Sequence, residues 1–301
     1  MADPTPRPSH ARRIGVGAAV VDGTFVPGDV EIADGRIARV GLSPSGSAVA
    51  VAGLVDLQVN GFAGVDLRTA STDDLRRVSI ELAAHGAVAV QPTLCSTSID
   101  RYVSALAVLD DARRWLPGCR LLPAHLEGPF LSTVWAGAHD PATLRPFEPD
   151  VLDVLLDAGE VGMITYAPEL GDASALVARC RDRGVIASIG HTDASAAQVQ
   201  AAIDDGARHL THCWNAHRRF APRDPGPAAV ALSDPRCTVG LIADLVHVAP
   251  ETIRLTLAAA PGRVAVTTDA VAAAGVVDAA ASTDAARLAD GTLAGGLATP
   301  V

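Results

Sequence analysis

Two histidines, His191 and His212, bracket the stretch from Ile189 to Asn215. His191 closes an apolar run that ends at Ile189-Gly190, and His212 closes the run Ala207 to Leu210 after one threonine. Between them Ala196, Ala197, Val199, Ala202 and Ile203 recur at helical spacing, with Gln198, Asp204 and Asp205 on the other face. The two strands of such a strand–helix–strand unit are parallel neighbours, about 4.8 Å apart. Residues that end them lie at one end of the sheet, so two imidazoles distant in sequence can share a metal. A third donor is Glu127, in the run His125-Leu126-Glu127-Gly128-Pro129. A carboxylate buried at a strand end is costly unless it is paired or metal-bound. Two histidines and one carboxylate, with a position open to water, form a catalytic zinc pattern, and iron or manganese accept the same donors. Asp269 follows the last apolar run. It reads either as a general base and acid beside such a site or as a helix N-cap. His10, His85 and His209 have no strand-end context and read as structural, while His217, Arg218 and Arg219 are expected to be exposed.

The positioning elements follow from periodicity. Strands are predicted near residues 54–58, 87–91, 121–126, 162–166, 185–189, 207–210, 238–242 and 264–267. Helical patterns lie between most of them, among them 72–85, 100–114, 173–183 and 250–259. Eight strands with intervening helices suggest a (β/α)8 TIM-type barrel, and a doubly wound sheet is the rival. The polar residues favour the barrel, because they fall just after strands: Asp56, Gln58 and Asn60; Thr93; His125 and Glu127; Glu169; His191; His212 and Asn215; Asp244 and His247; Asp269. Barrel enzymes build their sites from strand carboxyl ends. Upstream, residues 14–51 carry short alternating runs with Asp22-Gly23 and Asp34-Gly35 as hairpin turns, a small β unit. Residues 1–13 are expected to be a disordered tail, and residues 52–301 the barrel domain.

Composition narrows the chemistry. All 24 basic residues are arginine, which excludes lysine Schiff bases, P-loop phosphate binding and a carbamylated-lysine metal bridge. A net charge of −10 argues against a nucleic-acid partner, though not against one phosphate held by one or two arginines. The five cysteines are scattered without metal-type spacing and are expected to be buried thiols in a reducing compartment. Neither a signal-type apolar segment nor a run of transmembrane length is visible, so a cytoplasmic protein without a membrane partner is expected.

Together these pieces resemble the amidohydrolase superfamily and, within it, the N-acetylglucosamine-6-phosphate deacetylases. The matching stretches are GLVDLQVNGFAGVDL (53–67), QPTLCSTS (91–98), HLEGPF (125–130), GAHDP (137–141), YAPEL (166–170), IGHTDAS (189–195), THCWNA (211–216), RDPG (223–226), GLIADLVHV (240–248) and TTDAVAAAG (267–275). The resemblance implies that Glu127, His191 and His212 bind one divalent metal, most simply zinc. It makes Asp269 the catalytic aspartate and His139 the residue that polarises the acetyl carbonyl. Asn215 and Ala216 would touch the sugar, and Arg223 and His247 would lie near its phosphate, the arginine in a homodimer. Where the superfamily often carries a His-x-His pair, this chain has Gln58-Val59-Asn60, so one tight metal is expected. Three features depart from the family: Leu245 where relatives commonly have glycine, His217 where they mostly have methionine, and an end at residue 301 that is expected to leave out the last barrel helix and the strands that complete the β unit. Rival readings are an amidohydrolase for another N-acyl amino sugar or a cyclic amide, and a truncated non-catalytic remnant.

Overall fold

A computed structural model of the chain describes residues 11–276. The chain divides into two compact units, with the boundary between Leu54 and Val55.

The first unit is all β. One three-stranded sheet runs Arg12–Arg13, Asp29–Ala33, Arg36–Leu42, and the other Thr24–Pro27, Ala18–Val21, Val49–Ala50. Both expected hairpins form: Asp22-Gly23 and Asp34-Gly35 take positive φ at both turn residues (48° and 74°, 52° and 73°), as a twisted two-residue turn requires. Arg12 and Arg13, expected in a disordered tail, instead pair with Ile32 and Glu31. The rest of that tail lies outside the described residues. The small core is Val16, Ala19 and Val30.

The second unit is the barrel. Its strands are β1 (Leu54–Val59), β2 (Ala87–Cys95), β3 (Ala124–Glu127), β4 (Val161–Tyr166), β5 (Ile186–Ile189), β6 (His209–Leu210), β7 (Thr238–Ile242) and β8 (Val264–Thr267). They are hydrogen-bonded in sequence order, and every pair from β2 to β8 is parallel. Among the described residues seven α-helices accompany them: α1 (Thr72–Ala84), α2 (Ile99–Arg113), α3 (Pro149–Asp157), α4 (Ala173–Asp182), α5 (Ala196–Asp205), α6 (Gly226–Ser233) and α7 (Pro250–Ala259). α1 and α5 start at capping boxes, Ser71 with Asp74 and Ser195 with Gln198, which satisfy amide groups that a helix start leaves free. Leu75, Leu106, Leu152, Leu155, Leu176 and Val199 turn one face of their helices onto the sheet and are essentially fully buried.

Three strands differ from the sequence reading, the second because it runs on to Cys95, four residues past its expected end at 91. The third is interrupted: Arg120–Leu121 pair with β2, and after Pro123 the chain restarts as β3. Proline has no N–H to give a ladder. The sixth shrinks to His209–Leu210, because Ala207 bonds back to Ala202 in the helix cap. The barrel seam between β1 and β8 carries no ladder among the described residues. It is joined by a bridge of Val59 with Ala270, by Asp269 N donating to Gln58 O (2.9 Å), and by the Asp56 carboxylate. That carboxylate accepts from Thr267 Oγ1 (2.6 Å), Thr268 N (3.2 Å) and Thr268 Oγ1 (2.6 Å). The expected absence of a last barrel helix concerns residues beyond 276, outside the described residues. No helix among the described residues is long and apolar enough to cross a membrane.

Candidate active site

Glu127, His191 and His212 end β3, β5 and β6 and meet above the barrel interior. Glu127 Oε1 lies 2.9 Å from His212 Nε2 and 3.2 Å from His191 Nε2, and the two imidazole nitrogens are 3.0 Å apart. All three side chains are buried. His191 Nδ1 faces the carbonyl of Trp135 at 2.8 Å. A carbonyl only accepts, so the proton sits on Nδ1 and the lone pair of Nε2 points at the other two donors. Lone pairs converging in a buried pocket are what a cation stabilises. A tetrahedral ion with bonds of about 2.0–2.1 Å needs donor atoms about 3.4 Å apart, so these residues fit a divalent metal after opening by a few tenths of an ångström. Gln58 Nε2 donates to Glu127 Oε1 (3.0 Å), and Ser96 Oγ donates to the Glu127 carbonyl (3.2 Å), which together fix the carboxylate. Burial opposes its charge, but the neighbouring imidazoles of His191 and His212 outweigh burial and hold its pKa well below the usual range.

Backbone strain marks the same places. His191, His212 and Asp269 have φ of 45°, 28° and 53°, a left-handed region that costs non-glycine residues of order 1–3 kcal/mol and persists where surrounding structure enforces it. The neighbouring glycines show the crowding. A Cβ on Gly190 would lie 2.7 Å from Thr165 Cγ2, and one on Gly137 would lie 3.1 Å from His191 Cε1. Below the cluster a buried chain of hydroxyls, Ser188–Thr211–Thr165, ends on His125 Nε2 (2.6, 2.7 and 2.7 Å). Burial pushes His125 down to about 4, so it is a neutral packing element.

Asp269 lies at the rim with its Oδ1 accepting from Asn60 Nδ2 at 2.6 Å. Burial first, and then the charge of Glu127, push it up to about 7. A carboxyl group that exchanges a proton near neutrality suits acid–base work. Its N-cap reading fails: no helix among the described residues starts there. His139 is buried with Nδ1 accepting from the Ser96 backbone N–H (3.1 Å), while Nε2 lies 3.8 Å from Glu127 Oε2. That backbone donor puts the proton of a neutral ring on Nε2, facing the site. Burial and the nearby His191 push its pKa down to about 3, so the ring is a neutral donor.

The remaining residues divide. Ala216 packs beside Gly137 and His191, with φ 48°. Asn215 Nδ2 is buried without a partner among the described residues. His247 is held by Asp244: Nδ1 donates to Oδ2 (2.7 Å), and Oδ1 accepts from the N–H of Val246 and of His247 (2.9 and 2.8 Å). Its Nε2 is buried without a partner among the described residues. Leu245 takes φ 66° in this turn, the conformation glycine adopts freely, and Asp244 still closes the turn around it. Arg223 is exposed in the turn from Ala221 to Asp224, with no ion pair among the described residues, and is not brought to the cluster of Glu127, His191 and His212. His217 corrects the sequence reading. It is buried, with Nε2 accepting from Trp214 N (2.8 Å) and Nδ1 donating to Arg218 O (2.9 Å).

Sequence reasoning passed over Cys95, Ser96 and Trp135. Cys95 ends β2 opposite Glu127 in the ladder, is only half-buried, and lies 3.5 Å from Glu127 Oε2. Applying the strand-end criterion to thiols would have found it. Trp135 acts through its backbone carbonyl and Ser96 through both its N–H and its hydroxyl, partners that residue type along the chain does not reveal.

A parallel barrel with a Glu/His/His cluster at its strand carboxyl ends defines a (β/α)8 protein with a candidate metal-dependent site. The comparisons narrow the class. The chain is 35% identical to N-acetylglucosamine-6-phosphate deacetylase of Danio rerio over 236 residues, covering 74% of this chain and 58% of that protein. Against the enzyme of the same name from Bacillus subtilis it is 31% identical over 300 residues, covering 90% and 75%. A solved Mycobacterium smegmatis deacetylase variant in complex with N-acetyl-D-glucosamine-6-phosphate superposes with a TM-score of 0.80 at 34% identity, covering 86% of this chain and 70% of that one. No protein-family model matches. The chain belongs to the N-acetylglucosamine-6-phosphate deacetylase family, and it spans 58% of the Danio rerio relative's length.

Proposed function

We propose that this barrel hydrolyses the acetamide of N-acetylglucosamine 6-phosphate to glucosamine 6-phosphate and acetate. The observation that carries the reading is the convergence of Glu127, His191 and His212 at 2.9–3.2 Å near the Asp269 carboxyl, held by Asn60, and the His139 imidazole, oriented by Ser96. The three ligands would hold one divalent cation, zinc by donor type. When bound it would supply Lewis acidity, polarising the acetyl carbonyl and acidifying water. Asp269, oriented by Asn60, takes a proton from the attacking water and returns it to the departing amine. His139 Nε2–H donates to the carbonyl oxygen as negative charge develops there, with its tautomer fixed by Ser96. Asn215 and Ala216 line the sugar. His247, braced by Asp244, and Arg223 receive the phosphate, whose binding energy orients the distant acetamide. A cytoplasmic homodimer completes the reading, and sedimentation of the purified chain tests the dimer.

The test is amine release by the purified, metal-loaded chain from N-acetylglucosamine 6-phosphate and from N-acetylglucosamine. Turnover that strongly favours the phosphorylated sugar, is lost to a chelator and returns with metal is expected. A folded, metal-loaded chain that releases no amine from either sugar would refute the proposal.

A further inference from the structure

The two oxygens of Glu127 face different donor sets. Oε1 meets His191, His212 and the Gln58 amide. Oε2 meets Cys95 Sγ at 3.5 Å and His139 Nε2 at 3.8 Å. Cys95, Glu127 and His139 each offer a ligand atom, and these atoms all lie within 4.8 Å of one another. The two separations to Oε2 are close to the edges of a tetrahedron around an ion with a metal–sulfur bond of about 2.3 Å and metal–nitrogen and metal–oxygen bonds of about 2.0–2.2 Å. Asn60 adds to the set. Its Nδ2 is committed to Asp269, which turns its Oδ1 toward Cys95 Sγ at 3.1 Å.

We propose that Cys95, Glu127 Oε2 and His139 form a second cation subsite, selective for thiophilic divalent ions such as zinc, cadmium or cobalt, with Glu127 bridging it to the first. It differs in kind from a His-x-His site on β1, whose positions are filled by the amides Gln58 and Asn60. A thiolate selects soft metals over magnesium or calcium. The subsite is weaker than the first for a stated reason. The Ser96 N–H donates to His139 Nδ1, so Nε2 carries the ring proton. For Nε2 to bind a cation, the ring proton must pass to Nδ1, where it opposes the Ser96 N–H and breaks that bond. Occupation also takes away the Nε2–H donor that the proposed deacetylation uses. The second equivalent of metal is therefore inhibitory. This last consequence rests on the proposed function, whereas the subsite itself does not.

Cobalt titration of the full 301-residue chain separates the two. The first site has no sulfur ligand and gives no sulfur-to-metal charge-transfer band. The expected result is a near-ultraviolet charge-transfer band that grows only with the second equivalent. It should vanish in Cys95→Ser and after iodoacetamide alkylation of Cys95, while the first equivalent stays bound. Activity should peak near one equivalent and fall as the band appears. Absence of the band at two bound equivalents, or its survival in Cys95→Ser, would overturn the subsite whether or not the chain deacetylates anything. The alkylated wild-type chain gives the same answer if the variant fails to fold.

Discussion

Removing the Asp56 carboxylate should loosen the barrel at the β1–β8 seam, which carries no ladder among the described residues. Asp56 accepts three hydrogen bonds from Thr267 and Thr268 across that seam, at 2.6, 3.2 and 2.6 Å, and a fourth from Gln58 N at 3.1 Å. Hydrogen bonds to a charged group contribute about 1.5–3 kcal/mol each when nothing replaces them. Asp56 is half-buried, so water recovers part of that, and Asp56→Ala should lose about 2–4 kcal/mol. In a unit of this size about 1 kcal/mol moves the melting temperature by roughly 2–4 °C, which gives a fall of roughly 4–16 °C. Asp56→Asn should lose less, because its amide oxygen still accepts from Thr267 and the Thr268 hydroxyl can turn to accept from the new NH2. The assay is thermal or urea unfolding of the three proteins side by side. If Asp56→Ala melts within about 0.5 kcal/mol of the parent, the seam is held by its backbone bonds and packing alone and the argument fails. Stability that falls from the parent through Asp56→Asn to Asp56→Ala bears it out.

Four further outcomes are expected. Asp269→Asn should lower kcat by about 10²–10⁴ with metal content and KM little changed, since its amide can still meet Asn60; activity within tenfold would assign the proton to another group. His191→Ala should lose bound metal together with activity by elemental analysis, because one of three converging donors is gone. Arg223→Ala should narrow the preference for the phosphorylated over the free sugar, and an equal loss on both would make the arginine structural. Acid should destabilise the fold through His209, which is buried against Thr238 Oγ1 and pushed down to about 3 by burial and the nearby His125 and His212. Its folded-state pKa lies below the unfolded value of about 6.5, so as pH falls below about 6.5 only the unfolded chain takes up the proton. Stability then drops by about 1.4 kcal/mol per pH unit until about pH 3. His209→Gln should flatten that part of the pH profile, and an unchanged slope would refute the assignment.

The amino-acid sequence alone determined the barrel and the order of its strands. Apolar runs of strand length, helices at 3.6-residue period and polar residues just past each run are local signals, and local periodicity survives without knowledge of the fold. That is why Glu127, His191, His212 and Asp269 were legible as a set. Errors came where a local rule met a tertiary demand. The third strand breaks at Pro123. His217, polar and just past a strand-end loop, is buried because the N–H of Trp214 and the carbonyl of Arg218 satisfy both its nitrogens. Only the tertiary structure decided which nitrogen of His139 and His191 carries the proton, because the deciding partners are backbone groups of Ser96 and Trp135, the latter 56 residues from His191. It also decided that Asn60 serves Asp269 across 209 residues of chain, and that the two oxygens of one glutamate look into different donor sets. Such contacts depend on ångström distances between strand ends, which sheet closure sets and residue spacing along the chain does not encode.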